Sequence, residues 1–171
     1  MKTMIKNTVH LALGMSFLIV LLVGVAAAEL TCAPADQSGV PFKGTLHGTE
    51  MDTVIAPPPT LHVDGSGTGT ATQLGSFALS WLVTVDITQD PSPSTGSSEF
   101  IAANGDRLFT DIVGEGTGTP VAQITECNVI TGGTGRFAGA TGAFTMHRVV
   151  DVPTGATSGS FVGTLVNQKG Q

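Results

Sequence analysis

Thr131-Gly132-Gly133-Thr134-Gly135-Arg136-Phe137-Ala138-Gly139-Ala140-Thr141-Gly142 is the stretch that decides the fold. It holds five glycines and three threonines around one basic residue, Arg136, and one aromatic, Phe137. Glycine supplies the positive-φ and close-approach positions that other residues resist, so the stretch reads as a sharply folded connection. Alternating apolar runs lie on both sides, Val121–Ile130 before it and Ala143–Val152 after it. The connection therefore joins two strands.

Working outward, the same period-two pattern covers the rest of the chain. It is clearest from Phe77 to Ile87, where Phe77, Leu79, Trp81, Val83, Val85 and Ile87 share one face and Ser80, Thr84 and Asp86 the other. Such alternation is that of a half-buried antiparallel strand. Phe42–Ile55, ended by Pro57-Pro58-Pro59, and Leu61–Thr72 are earlier strands. Glu99–Ala103 and Asp106–Glu115 flank Asn104-Gly105, which predicts a hairpin with a type I′ turn. Ser158–Val166 is the last strand, and Pro91–Gly96 is predicted as a long surface turn. No stretch shows sustained helical spacing.

The expected class is all-β: an eight-stranded antiparallel barrel, with a two-sheet sandwich as the competing architecture. Eight strands close around an interior filled by side chains or one small ligand. A transmembrane barrel needs aromatic girdles at both interfaces. This chain has no tyrosine and one tryptophan, Trp81, which argues against that class.

Residues 1–28 read as a cleaved leader. Lys2 and Lys6 precede an apolar run from Leu11 to Val25, and Ala26-Ala27-Ala28 offers a small-residue cleavage site. A retained anchor is the alternative. Residues 29–40 form an N-terminal tail and 41–171 a single barrel domain, placed in a secreted or periplasmic compartment. The formal net charge is −6, and loss of Lys2 and Lys6 makes the remainder more acidic. An acidic surface repels phosphate backbones, so nucleic acid is not an expected partner. Nor is a membrane, once the leader is removed. Two cysteines, Cys32 and Cys127, are expected to pair in an exported chain. Free thiols and thiol chemistry stay open as alternatives.

The glycine-rich stretch, with Ile130 before it, resembles the GGTGxFxxAxG segment of dirigent proteins and allene oxide cyclases, and of exported bacterial proteins of that kind. Thr70–Phe77 and Ala102–Leu108 resemble their strand entry and central hairpin. The resemblance implies an eight-stranded barrel related in shape to lipocalins. It implies structural roles for Gly132, Gly133, Gly135, Phe137 and Gly142, with Phe137 plugging one end. Homo-oligomers are common in these families, and their polar lumen groups steer or cyclise an apolar substrate. Tyrosines belong to that machinery and are absent here.

Few residues carry legible chemistry. His47, His62 and His147 are far apart, lack metal-ligand spacing and read as surface residues. No cofactor or metal is expected, no Gly-x-Ser-x-Gly turn is present, and the glycine-rich stretch lacks the lysine and following helix of a phosphate loop. The carboxylates are more informative. Asp111 alternates with Phe109, Val113 and Glu115, and Glu126 with Ile124, Asn128 and Ile130. Either set, if inward, offers a lumen acid; the outward reading is preferred for both. Arg148 lies with Phe144, Met146 and Val150, which suggests an inward arginine in need of a carboxylate, Asp111 or Glu126. Three functions follow: a lumen site for a small apolar ligand, a filled structural or surface-interaction barrel, or a cyclase or isomerase working through a lumen acid. Inward Asp111, Glu126 and Arg148 around empty volume favour the first or third. A centre filled by Trp81, Phe100, Phe144 and Phe161 favours the second.

Overall fold

A computed structural model describes Cys32 and residues 39–55 and 59–167. The leader at 1–28, most of the tail at 29–40, and the last four residues lie outside the described residues. The strands are β1 (Val40–Ile55), β2 (Thr60–Ala71), β3 (Gly75–Asp86), β4 (Ser92–Ala102), β5 (Arg107–Thr117), β6 (Val121–Gly133), β7 (Thr141–Asp151) and β8 (Ala156–Val166). Each pairs antiparallel with the next, and β8 returns to β1, so the sheet is a closed barrel. Closure removes the sandwich alternative.

The interior is built on one repeated device. Aromatic side chains sit directly across the ladder from glycines: Trp81 opposite Gly65, Phe77 opposite Gly69, Phe161 opposite Gly44, and both Phe42 and Phe144 opposite Gly163. A narrow barrel has room for a ring only where the facing position has no side chain. At Gly65 a Cβ would fall inside the Trp81 indole. Alternation of large and small inward residues thus fills the taper of a small barrel.

Two predicted connections differ. The Pro91–Gly96 turn is instead the first half of β4, in which Ser94 is buried and Pro93 pairs with Glu115. Proline is tolerated at a strand's start, where its missing N–H costs least. The Asn104-Gly105 hairpin forms, but not with a type I′ turn. Only Gly105 has positive φ (86°), its N–H donates to Ala102 O, and Ala102 N–H donates to Asp106 O. That is a three-residue loop, a tight turn followed by a left-handed glycine.

The glycine-rich stretch is more strand than expected. Thr131–Gly133 continue β6 beyond a register shift opposite Phe109 and Thr110. The sharp connection is 134–140 and contains one turn of 3-10 helix, Gly135–Phe137. Gly135 has φ 56°, and Asp106 occupies the space a Cβ would take. No other residue meets both demands. The Asp106 carboxylate then accepts from the Arg136 N–H (3.2 Å), and the turn delivers Phe137, 1% exposed, into the barrel end.

Cys32 and Cys127 form a disulfide. It lies on the outer wall, where Cys32 N–H donates to Thr145 Oγ1 (3.1 Å). The bridge and this hydrogen bond fix Cys32 across β6 and β7.

Candidate functional site

The inward side chains separate into two layers. At the end closed by Phe137, the rings of Phe42, Phe77, Phe100, Phe144 and Phe161 pack with centroids 5.0–6.5 Å apart. Spacings of this kind, mostly tilted or edge-on, satisfy the ring quadrupoles. Leu74, Leu108 and Leu165 complete the layer.

The other layer is polar. Arg148, 5% exposed on β7, donates from Nη2 to Glu126 Oε1 (2.8 Å) and from Nε to Glu126 Oε2 (3.3 Å). Its Nη1 donates to Glu50 Oε2 (2.7 Å) and to Thr157 Oγ1 (3.3 Å). Trp81 Nε1–H donates to the same Glu50 oxygen (3.3 Å), and the guanidinium sits 5.0 Å from a Trp81 ring centroid. Burial works against the Arg148 charge. The carboxylates of Glu126 and then Glu50 outweigh it, so its pKa lies above the ordinary arginine value. Asp52, farther along β1, is shifted up by burial, with the Arg148 charge opposing.

A second polar chain runs along the inner wall of β4, β5 and β6 beside the first. The Ser98 and Thr110 hydroxyls share a 2.6 Å hydrogen bond, and Thr110 donates to Asn128 Oδ1 (3.1 Å). Asn128 is fully buried and its Nδ2 has no hydrogen-bond partner. It lines a cavity of about 10 Å³ with Leu79, Trp81, Ser98, Glu126 and Arg148. That is room for one water molecule and nothing larger.

Glu126 is 3% exposed and faces the lumen, which corrects the outward preference. The neighbouring Cys127 explains the parity: it must face outward to reach Cys32, so Glu126 and Asn128 turn inward. Asp111 is outward, between buried Thr110 and Ile112, and cannot reach Arg148. Glu50 is the second carboxylate of the cluster and did not emerge from the motifs. It has a signal nonetheless, because Phe42, Leu46 and Glu50 share one strand parity. His47, His62 and His147 are exposed on the outer wall, and no cluster of metal-ligating side chains exists among the described residues. Gly132, Gly133 and Gly142 flank the Phe137 turn at the ends of β6 and β7.

The class defined by fold and interior is a closed eight-stranded antiparallel barrel with an aromatic layer at one end and a buried ion cluster at the other. No protein family, curated protein or solved structure matches the chain. No helix among the described residues is long and apolar enough to cross a membrane.

Proposed function

We propose that this chain is an exported, soluble barrel with a filled interior that works through its outer wall, as a structural or surface-interaction module. The interior carries the reading. A drug-sized ligand needs a pocket of roughly 300–1,000 Å³. The lumen is occupied by rings and the Arg148 cluster, and the cavity beside Arg148 and Asn128 is about 10 Å³. A lumen acid for cyclase or isomerase chemistry would be Glu126 or Glu50, but both oxygens of Glu126 accept from Arg148, and Glu50 is ion-paired with the same guanidinium and accepts from Trp81. The disulfide supports an oxidising compartment. The eight-stranded closure is also what the dirigent and allene oxide cyclase resemblance implies, and common descent with those barrels is part of the proposal.

The outer wall supports the rest. Leu82, Phe109, Val113 and Val129 are exposed on β3, β5 and β6, interspersed with Ser97 and Asp111. Exposed aliphatic and aromatic side chains grouped on one wall are a feature of interaction surfaces.

Native mass spectrometry, followed by denaturing extraction of the same sample, tests the reading. The expected mass is that of the polypeptide alone. Stoichiometric recovery of an apolar small molecule would overturn it and restore the lumen-ligand function.

A further inference from the structure

β1 outruns its neighbour. Its pairing with β8 ends at Thr49 opposite Ala156, and the last contact on that side is Glu50 N–H donating to Gly155 O (2.9 Å). Its pairing with β2 continues to Ile55 opposite Thr60. From Met51 to Ile55 the strand is therefore held on one side only.

Alternation decides which backbone groups are free. Lys43 O accepts from Thr72 N–H, so the odd positions of β1 face β2. Glu50 N–H faces the β8 side, so the even positions do too. Beyond the end of β8, the N–H and C=O of Asp52 and Val54 face away from β2 and have no backbone hydrogen-bond partner among the described residues. The side chains are mostly apolar and exposed: Met51 is 71% exposed, Val54 65% and Ile55 38%. Asp52 is the only charged residue. Barrels abolish sheet edges by closing, and natural edges are otherwise covered or blunted. Among the described residues nothing covers this stub, and Asp52 is the single charge on it.

The geometry points to a second copy of this chain pairing here, β1 against β1, antiparallel about Thr53. The surface calls for a strand with free main-chain groups, apolar side chains and no carboxylate opposite Asp52. The same segment supplies all three. A dyad at Thr53 sets Asp52 against Val54 of the second copy, and Met51 against Ile55. Asp52 and Val54 carry the free groups, so each facing pair exchanges both backbone hydrogen bonds. Thr53 meets its symmetry mate at a non-hydrogen-bonded position, where Cα atoms approach to about 4.5 Å. A dyad at Asp52 would oppose two carboxylates. A dyad at Val54 would run the pairing into Pro57-Pro58-Pro59, which have no N–H to donate. So short an edge falls below standard interface size, and the dimer is a weak, concentration-dependent one.

The pairing goes beyond the filled-core reading and does not depend on it. Sedimentation of the disulfide-intact protein over a hundredfold concentration series reads the association. Val54→Pro removes only an N–H that β2 does not use, and is expected to weaken association about tenfold or more with the thermal midpoint unchanged. Thr53→Cys is expected to form a self-disulfide at position 53 under mild oxidation, mapped by peptide mass, whereas Met51→Cys and Ile55→Cys are not. That arm decides the matter even if Val54→Pro folds poorly. A monomer throughout the series, association indifferent to Val54→Pro, or equal cross-linking at 51, 53 and 55 would overturn the proposal.

Discussion

Arg148 grips Glu126 at two points, Nη2 to Oε1 at 2.8 Å and Nε to Oε2 at 3.3 Å, in the polar layer of a barrel whose other end is packed with phenylalanine rings. The guanidinium also holds Glu50, so one cation balances two carboxylates. Removing the cation leaves both carboxylates buried and unmatched. Arg148→Met is expected to cost about 3–5 kcal/mol, the range for breaking a buried pair. Urea unfolding measures it, and a loss under about 1 kcal/mol would mean that the cluster is more solvated than its burial indicates.

Two aspartates should move acid stability in opposite directions. Asp52 has its pKa raised from 3.8 by burial, so the folded state prefers its protonated form. Its ionisation erodes stability as pH rises from 3.8 through the folded value. Asp52→Asn should stabilise the barrel at neutral pH, with the gain vanishing below 3.8. Asp86 is lowered from 3.8 by hydrogen bonds from Thr88 and Gln89. Its contribution is present above 3.8 and lost as pH falls through the folded value. Asp86→Asn should destabilise at neutral pH and become silent in strong acid. Thermal melts of both variants across pH 2–7 give the signs, and equal signs would refute the assignment.

The Cys32–Cys127 bridge closes a 95-residue separation. On the chain-entropy argument its removal costs about 4–5 kcal/mol. The double Cys32→Ser, Cys127→Ser variant should show that loss in urea with an increased slope, because the unfolded chain expands. A change below about 1 kcal/mol would assign the bridge to holding the N-terminal segment rather than to stability.

Gly65→Ala tests the ring-against-glycine device. The added methyl would overlap the Trp81 indole, which is also tied to Glu50. Overpacking of this kind costs about 1–3 kcal/mol or more. Trp81 is the sole tryptophan, so its fluorescence should shift to the red as the ring is expelled. An unshifted spectrum with unchanged stability would show that the wall yields locally.

Strand order was legible because its signal is local. Phe77–Ile87 shows its buried face by alternation alone, and all eight predicted strands form. The connections were less legible. Asn104-Gly105 announces a hairpin, but Asp106 N–H and side-chain contacts select the longer loop. Ser92-Pro93-Ser94 carries turn composition yet pairs with β5, because the long β5 strand runs alongside it and takes up its backbone. The lumen was half legible. The company of Phe144 and Met146 pointed Arg148 inward, while Glu126 could be placed only once Cys127 was known to face out.

Residue order was enough to establish an all-β chain and its strand count, since these depend on neighbours two to ten positions apart, whereas the Cys32–Cys127 pairing joins residues 95 apart and was decided by the fold. The state of the interior depended on distant residues meeting. Glu50, Glu126 and Arg148 come from three strands, and Phe42, Phe77, Phe144 and Phe161 each find a glycine on another. Whether a barrel is hollow or filled is a matter of volume shared among strands, and that quantity exists only after the sheet has closed.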